Sequence, residues 1–371
     1  MRIGLIIYGE LTQHPGNYLY DRYLVRGLSK LGHSLDVISL PKRDYGRHLL
    51  DNFSPRLRRQ LRKAELDVLL QDETNHPSLF QLNRGLRARG EFPIISIVHG
   101  LRSSQPWSGY EARLYRSVER DYLSAIDGVI LKSKDTRDEI QQLLGHLMPW
   151  VVAQPGRDHV SPDLDEARVH ARAHESGPLR LLFLGDVIAA KGLHFLLAGL
   201  ASMPKRSVQL DVVGDLQQEP SYVRDTQATI VREGLTQTVT LWGTLKGSSL
   251  LERLRSAHVL AVTSEGEGFT TAYLEGLGFF LPVLASHDGA VRELVHHERE
   301  GFLVNRRDPE AIAGALGRWS SDRDLLYRMG RAARERYLRQ PTWDQMAERV
   351  AAFLEERVQR FSSKASSAIE R

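Results

Sequence analysis

The sequence predicts an α/β protein of two domains, each built around a parallel β-sheet. Short apolar runs alternate with longer helical patterns along the chain, which is typical of parallel strands joined by crossover helices. A polar, acidic stretch over residues 161–177 interrupts this alternation, and the pattern then starts again. The length of 371 residues exceeds the size at which a single hydrophobic core stops growing, so two domains are expected.

Each half of the chain supplies its own set of strand candidates, and each opens with a strand that runs into a glycine, Gly9 or Gly185. Both halves are therefore predicted to be Rossmann-like. The candidates of the first half are residues 3–8, 35–40, 68–70, 94–98, 129–131 and 150–152. Those of the second half are residues 179–184, 208–213, 239–242, 259–262 and 283–285.

The same pattern predicts the domain boundaries. We expect an N-terminal domain over residues 1–158, a linker over 159–177, a second domain over 178–340, a closing helix over 341–360 and a frayed tail over 361–371.

Composition excludes several classes of protein. The chain has no cysteine, which excludes disulfides, thiol catalysis and thiolate metal sites and fits a reducing compartment. The apolar run at residues 3–8 is too short for a signal peptide and predicts a first strand, and no stretch has the length of a membrane span. The formal charge of +4 is small, so nucleic acid is not indicated. A cytoplasmic protein is the default expectation.

A short basic segment allows two interpretations. Cations surround Leu57 and Leu61 at helical spacing, which predicts a basic amphipathic helix. Such a helix is either a solvated face or a weak contact with a membrane surface, on the inner face of the membrane. The cations are Arg56, Arg58, Arg59, Arg62 and Lys63.

The stretch Ser264-Glu-Gly-Glu-Gly-Phe-Thr-Thr-Ala-Tyr-Leu-Glu275 directly follows the apolar run 259–262. Its glycines predict a tight turn, and Thr270 onward predicts a helix N-terminus. A strand, turn and helix in this order can hold a phosphate, because glycine lets a ligand approach the backbone and the helix start favours an anion. Glu267 would lie in the turn and Glu275 two turns into the helix.

The two glutamates, with seven residues between them in this setting, resemble the hallmark of the family 4 glycosyltransferases. These are retaining enzymes of the GT-B fold, in which two Rossmann-like domains face each other across a cleft. The resemblance implies that Glu267 contacts the donor sugar and that Glu275 holds the ribose hydroxyls of the nucleotide. It implies a donor phosphate at the helix start, at Gly268, Phe269, Thr270 and Thr271.

Further segments are similar to the family in the second half. The segment Gly185-Asp-Val-Ile-Ala-Ala-Lys191 is similar to the one that binds the donor diphosphate, with Lys191 as its cation. Asp186 stands where an arginine is usual, so either it turns away to cap the following turn or this subsite is altered. The backbone around Leu245 would read the edge of the base. Pro155 replaces the usual asparagine of the interdomain junction, where Asp158 remains.

The first half carries matching segments. Gly16 belongs to a loop similar to the family's glycine-rich loop, near the acceptor and across the cleft from the diphosphate. His99 directly follows the strand 94–98, where open α/β sheets bind ligands, and the resemblance gives it a contact with the transferred sugar. Arg102 could reach a phosphate. Asp72, Glu73 and His76 are candidates for the acceptor side, and the closing helix is expected to cross back onto this domain.

These observations predict a retaining hexosyltransferase that moves a sugar from a UDP-, GDP- or ADP-sugar to a carbohydrate, lipid-linked or small-molecule acceptor. No metal is expected, because cations and a helix dipole can neutralise the leaving nucleotide. Three alternatives stay open. A noncatalytic nucleotide-sugar-binding protein is suggested by Asp186 and Pro155, another GT-B enzyme such as a nucleotide-sugar epimerase would share the domains, and a dehydrogenase is weaker because no Gly-x-Gly-x-x-Gly follows either first strand.

Overall fold

The computed structural model describes residues 1–11, 18–105, 107–265 and 270–369, with side chains up to residue 363. The chain divides into two compact units, one of Met1–Gly156 with Pro341–Arg371 and one of Arg157–Gln340. Each unit is built around one parallel sheet. Within the described residues, no helix is both long enough and apolar enough to cross a membrane.

The first sheet has the strand order β2-β1-β3-β4-β5-β6, with every pairing parallel. Its two faces are both buried, since Ile6 and Tyr8 of β1 lie in one core while Leu5 and Ile7 lie in another. The continuous apolar runs of the sequence follow from this double burial. The strands are β1 (Arg2–Tyr8), β2 (Ser34–Leu40), β3 (Val68–Asp72), β4 (Ile94–Val98), β5 (Gly128–Leu131) and β6 (Trp150–Val152), so all six predicted strands are confirmed.

Helices connect these strands, and local sequence signals set their ends. Ser54 accepts a hydrogen bond from the N–H of Leu57 and is followed by Pro55, a favourable first residue of a helix. Gly145 (φ 79°) ends another helix in the left-handed conformation. The helices of this part are α1 (Leu19–Lys30), α2 (Tyr45–Asp51), α3 (Pro55–Lys63), α4 (His76–Arg87), α5 (Gly109–Leu123) and α6 (Lys134–Leu144).

The second sheet has the strand order β12-β11-β10-β7-β8-β9 and is also parallel. Its strands are β7 (Leu179–Leu184), β8 (Val208–Val213), β9 (Val239–Gly243), β10 (Val259–Val262), β11 (Val283–Ser286) and β12 (Gly301–Val304). The five predicted strands are confirmed, whereas the sequence interpretation missed β12. That edge strand lies so close to β11 that a Cβ added at Gly301 would be 2.0 Å from the carbonyl oxygen of Val283.

The helices of the second unit cover both faces of this sheet, since Leu181 and Leu182 of β7 belong to different cores. Residues 159–177, predicted as a linker, include a helix whose Val169 and Ala173 are buried. The helices are α7 (Glu166–His174), α8 (Leu193–Ala201), α9 (Pro220–Arg232), α10 (Ser248–Ser256), α11 (Thr271–Gly278), α12 (Pro309–Ser321) and α13 (Arg323–Leu338).

The last helix, α14 (Trp343–Ile369), belongs to the first unit and packs against α1. The ring of Trp343 stacks on Tyr23 at a centroid distance of 4.4 Å. Gly27 faces Ala347 so closely that an added Cβ would be 2.3 Å from the Ala347 Cβ. The helix continues to Ile369, beyond residue 360, where the sequence predicted that it would end.

The contact between α1 and α14 gives a stability prediction. Replacing Gly27 by alanine should push the two helices apart, since overpacking costs roughly 1–3 kcal/mol and exceeds the gain in helix propensity of about 1 kcal/mol. The matched control is Gly85→Ala in α4, where an added Cβ meets nothing within 4 Å. In thermal unfolding, Gly27→Ala should lower the midpoint and Gly85→Ala should raise it slightly. Equal midpoints for the two variants would show that the helices tolerate the methyl group.

Candidate functional site

Glu267, for which the sequence predicts a turn, lies outside the described residues, together with Gly268, Phe269 and, in the first unit, Gly16. The residues on both sides of 266–269 are described. Strand β10 leads to Ser264, and α11 begins directly after Thr270, whose hydroxyl accepts a hydrogen bond from the N–H of Ala272 at 3.4 Å. The predicted strand and the predicted helix start are therefore present on the two sides of residues 266–269.

Glu275 lies on α11 and forms an ion pair with a residue that the sequence interpretation missed. Its Oε1 is 2.9 Å from Nε2 of His159, and both side chains are largely buried. The two residues are 116 positions apart, so no local pattern could have indicated the contact. This contact with His159 holds one oxygen of the Glu275 carboxylate, Oε1, and so orients the carboxylate.

Lys191 lies at the end of a short 3-10 helix, Ala189–Lys191, that follows β7. Its aliphatic chain passes over Gly185, since a Cβ added at Gly185 would be 3.6 Å from Cδ of Lys191. The next residue, Gly192, contacts the backbone after β10, where an added Cβ would be 2.1 Å from the carbonyl oxygen of Thr263. The N–H of Glu265 donates to the carbonyl of Ala190 at 2.9 Å. The structure thus brings Gly185 and Lys191 against the residues that lead into the Glu267 turn.

Asp186 turns toward the loop after β8. Its Oδ1 accepts a hydrogen bond from the N–H of Asp215 at 3.1 Å, and its Oδ2 accepts one from Nε2 of Gln218 at 2.8 Å. The carboxylate therefore binds the neighbouring loop rather than capping the turn that follows β7. Both carboxylate oxygens of Asp186 accept hydrogen bonds from that loop. Lys191 is the basic residue of the segment 185–191.

The loops after β7, β8 and β9 converge at one edge of the sheet. A Cβ added at Gly214 would be 1.9 Å from the carbonyl oxygen of Gly185, and the N–H of Gly214 donates to the carbonyl of Gly243 at 3.0 Å. Leu245 follows β9 and packs, half-buried, against the core on that face. These contacts place the backbone around Leu245 at the same sheet edge as Gly185.

In the first unit, His99 belongs to a buried group of charged side chains. Its Nε2 is 3.3 Å from Oδ2 of Asp72 and 3.5 Å from Oδ2 of Asp21. The backbone N–H of His99 donates to Oε2 of Glu73 at 3.0 Å. Asp21 and Asp72 are 0% and 1% exposed. Lys132 is buried beside them and interacts electrostatically with the three carboxyl groups. The sequence interpretation missed Asp21 and Lys132. Asp21 lies on α1 and Lys132 directly follows β5, and these elements are far apart in the sequence from His99 or carry no pattern that links them to it.

The charges of this group shift one another's pKa values. Burial and Lys132 lower the pKa of His99, but Glu73 and Asp21 raise it more, to about 10. Burial raises the pKa of Glu73 to about 8, although His99 opposes the change. At neutral pH the group therefore contains a charged imidazolium and a protonated Glu73. The ligand atoms of Asp21, Asp72 and His99 also lie within 4.8 Å of one another, a spacing that could hold a metal ion.

Other first-unit candidates lie around this group. Asp72 accepts hydrogen bonds from Thr74, and His76 Nδ1 donates to the carbonyl of Glu73 at 2.8 Å. Burial lowers the pKa of His76 to about 4, so its ring is neutral. Arg102 begins the short helix that follows β4 and lies three residues after His99. The structure therefore brings Asp72, Glu73, His76 and His99 together.

Comparisons with known proteins agree with this architecture. A family model described as "Glycosyltransferase Family 4" matches residues 20–160, and one described as "Glycosyl transferases group 1" matches residues 178–322. A relative, D-inositol 3-phosphate glycosyltransferase of Xylanimonas cellulosilytica, is 28% identical over 62% of this chain. That match spans 57% of the relative's own length.

Solved structures share the fold over nearly the whole chain. Sucrose-phosphate synthase from Thermosynechococcus elongatus has a TM-score of 0.80 and 20% identity, covering 98% of this chain and 99% of that one. HepE of Anabaena, solved in complex with UDP and glucose, has a TM-score of 0.77 and 18% identity, covering 96% of this chain and 100% of that one.

The raised pKa values predict how stability depends on pH. Burial raises the pKa of Glu73 to about 8, so the folded protein holds a proton on this carboxyl well above the pKa of 4.5 of an unperturbed glutamate. Because the folded state binds the additional proton, stability is lost as the pH rises through this window, and His99 acts with the same sign up to about pH 10. Thermal midpoints measured across this range should fall with pH in the wild type and fall less in Glu73→Gln.

Glu111→Gln is the control for this measurement, since Glu111 is exposed on α5. Its pH profile should follow that of the wild type. Parallel profiles for all three proteins would contradict the assignment of a protonated Glu73.

Proposed function

The chain belongs to the family 4 glycosyltransferases and has the GT-B fold, and from this premise we propose that it transfers a hexosyl group from a nucleotide-sugar donor with retention at the anomeric carbon. The bond between the anomeric carbon and the donor phosphate oxygen breaks. The acceptor hydroxyl oxygen forms the new bond on the same face of the sugar, and its proton passes to the departing phosphate oxygen. The second unit binds the donor, and the first unit binds the acceptor.

The observation that carries the donor assignment is the position of Lys191. Its chain passes over Gly185, and its loop is bonded to Glu265, one residue before the undescribed turn that precedes α11. The loop of Lys191 and the N-terminus of α11 thus lie next to the two ends of the segment 266–269. Both favour the negative charge that develops on the nucleotide diphosphate as the sugar departs. We assign Gly185, Lys191, Thr270 and Thr271 to the donor phosphates.

Glu275 is assigned to the ribose of the donor. One of its oxygens is bonded to His159, and its other oxygen has no hydrogen-bond partner among the described residues. A carboxylate held in this way can accept hydrogen bonds from neighbouring hydroxyls without first choosing a side-chain orientation. The base would then lie toward Leu245 at the same sheet edge, in contact with backbone groups.

The transferred sugar is assigned to Glu267 and His99. Glu267 would position the sugar as positive charge grows at the anomeric carbon. The Nδ1 atom of His99 is buried and has no hydrogen-bond partner among the described residues. Because the imidazolium carries a proton on each ring nitrogen, Nδ1 is a donor for a sugar hydroxyl. The opposite nitrogen, Nε2, also has no hydrogen-bond partner among these residues, and it lies 3.5 and 3.3 Å from Asp21 and Asp72 as ion-pair partners.

Donor binding is tested by thermal shift with UDP, GDP, ADP and their sugar conjugates. A ligand that binds only the folded state raises the unfolding midpoint. We expect one nucleotide series to raise the midpoint of the wild type. Lys191→Met and Glu275→Gln should weaken that nucleotide roughly 10- to 100-fold, since a hydrogen bond to a charged group contributes about 1.5–3 kcal/mol.

Lys205→Met and Glu335→Gln are matched controls, because both side chains are exposed in the second unit and neither forms an ion pair or a hydrogen bond with a described residue. Both should bind like the wild type. A wild type that binds no member of the panel would contradict the proposed donor site. Binding without sugar transfer to any acceptor would favour the noncatalytic alternative.

The first unit also has a surface suited to an anionic membrane. The five cations of α3 are exposed while Leu57 and Leu61 are buried, so the cations share the outer face. Leu50 and Phe53, in the adjoining end of α2 and the turn after it, are each 67% exposed. Cations with neighbouring exposed apolar side chains fit a lipid headgroup region. We propose that this surface makes a weak contact with anionic lipid.

Vesicle sedimentation tests this contact. The wild type should bind vesicles of phosphatidylserine and phosphatidylcholine and should not bind phosphatidylcholine alone. Arg59→Glu/Arg62→Glu should weaken binding at least tenfold, since each cation near the surface contributes about 1 kcal/mol. Arg113→Glu/Arg116→Glu on α5 makes the same charge change at exposed positions and should bind like the wild type. Equal losses in both double variants would indicate a net-charge effect and would contradict a specific surface.

A further inference from the structure

The first unit contains a cavity of about 430 Å³ beside the carboxyl ends of β1, β3 and β4. Three of its lining residues belong to this edge: Tyr8 ends β1, Glu73 directly follows β3, and Gly100 is the second residue after β4. Open α/β sheets bind ligands at this edge, and the volume suits a compact small molecule. Glu73 also accepts the N–H of His99, so one wall of the cavity is shared with the proposed sugar contact.

Arg102 also lines the cavity. Its guanidinium lies over the rings of Tyr115, Trp107 and Tyr45, at 4.4, 4.9 and 5.2 Å from their centroids. Aromatic faces stabilise the cation but accept few of its hydrogen bonds. Its Nη2 donates to the hydroxyl of Tyr115 at 3.4 Å, its Nε has no hydrogen-bond partner, and no carboxylate forms an ion pair with Arg102 in the described part of the chain. The planar group therefore retains donors for an anion.

The carboxylate nearest to Arg102 is already engaged by the backbone. Glu119 is 2% exposed, and its two oxygens accept the N–H groups of Arg102 and Ser103 at 2.5 and 2.9 Å. Lys42 adds a second cation to the cavity wall, and no hydrogen bond or ion pair engages it among the described residues. Arg43 is neutralised by Asp51 at 3.1 Å. This side of the cavity therefore offers two available cations.

The rest of the wall is polar. The hydroxyl of Tyr45 donates to Nε2 of His76, whose Nδ1 donates to the carbonyl of Glu73. Glu73 lines the same cavity, and its Oε2 accepts the backbone N–H of His99 at 3.0 Å. Carboxyl oxygens held in this way can bind the hydroxyl groups of a ligand. Such a wall suits a polyhydroxylated ligand.

We propose that this cavity binds the acceptor as a phosphomonoester of a polyhydroxylated compound, with its phosphate on Arg102 and Lys42 and its hydroxyls on Glu73. The inference rests on the proposed function and names the acceptor class of that activity. A phosphomonoester carries the charge and acceptor oxygens that a guanidinium with free donors recognises. The hydroxyl nearest to His99 then receives the sugar. The phosphate comes either from a soluble polyol phosphate or from a phosphorylated lipid headgroup.

Isothermal titration of the full-length protein tests binding without the donor. The probes are glucose 6-phosphate, fructose 6-phosphate and myo-inositol 3-phosphate, each paired with its unphosphorylated parent. We expect at least one phosphate to bind at least tenfold more tightly than its parent. Arg102→Gln should weaken that phosphate 10- to 100-fold, in line with about 1.5–3 kcal/mol for a charged hydrogen bond. Lys42→Gln, at an exposed position that cannot disturb the core, should weaken it several-fold.

Arg113→Gln is the control, because Arg113 is an exposed cation of the same unit outside the cavity. It should bind the phosphate like the wild type, and all variants should keep the response to the nucleotide. Vesicles containing phosphatidylinositol monophosphate, tested in the Arg59→Glu/Arg62→Glu background, give the lipid arm. If only these vesicles bind, and Arg102→Gln and Lys42→Gln abolish that binding, the phosphate belongs to a lipid headgroup.

The result that overturns the inference is equal affinity for phosphates and parents in both arms, or binding that survives both Arg102→Gln and Lys42→Gln. Sugar transfer to an unphosphorylated acceptor in that case would leave the proposed function intact. Conversely, phosphate binding that depends on Arg102, without transfer from any nucleotide sugar, would support the cavity assignment and contradict the glycosyltransferase activity. The two failures are thus distinguishable.

Discussion

Close approach of backbone to backbone, at positions that only glycine can occupy, organises the donor side of this protein. Gly192 touches the chain after β10, and Gly214 touches the chain after β7, at distances that leave no room for a Cβ. Parallel strands end at the same edge of a sheet, but their loops would diverge if side chains separated them. With glycine at these contacts, the loops close on one another. The loop that carries Lys191 is thereby held against the residues that lead to the Glu267 turn.

The first unit meets a different constraint, because five ionisable side chains lie together in its interior. An isolated buried charge is very unfavourable, so such groups persist only when they neutralise and hydrogen-bond one another. Here burial and Lys132 lower the pKa of His99, and Glu73 and Asp21 raise it more, while burial raises the pKa of Asp21 and Glu73 and lowers the pKa of Lys132. The group of carboxyls around His99 stabilises its imidazolium. It fixes His99 in one orientation and one charge state, which a histidine exposed to water would not have.

The sequence predicts most of the fold and only part of the site. Strands buried on both faces give continuous apolar runs, which is why eleven of the twelve strands of the described residues could be found in advance. Strand β12 was not predicted, because its four residues, Gly301–Val304, are too few to show a clear apolar pattern. His99 could be located because it directly follows a buried strand, and Lys191 because its segment is similar to the family's diphosphate-binding segment. The partners His159 and Asp21 could not, since contacts between distant positions leave no periodicity, and the direction of Asp186 depends on a loop that only the fold brings near.

The loop after β4 connects the two halves of the acceptor chemistry. It carries His99 at its start and Arg102 three residues later, so the group that would contact the sugar and the group that would bind the acceptor phosphate share one short segment. Buried carboxyl groups hold this segment at both places, Glu73 at the N–H of His99 and Glu119 at the N–H of Arg102 and Ser103. A loop held at two points by its backbone keeps a nearly constant distance between its side chains. An acceptor whose phosphate binds Arg102 would therefore place its other end at a fixed distance from that phosphate, near His99. The length of the acceptor would then determine which of its hydroxyls receives the sugar.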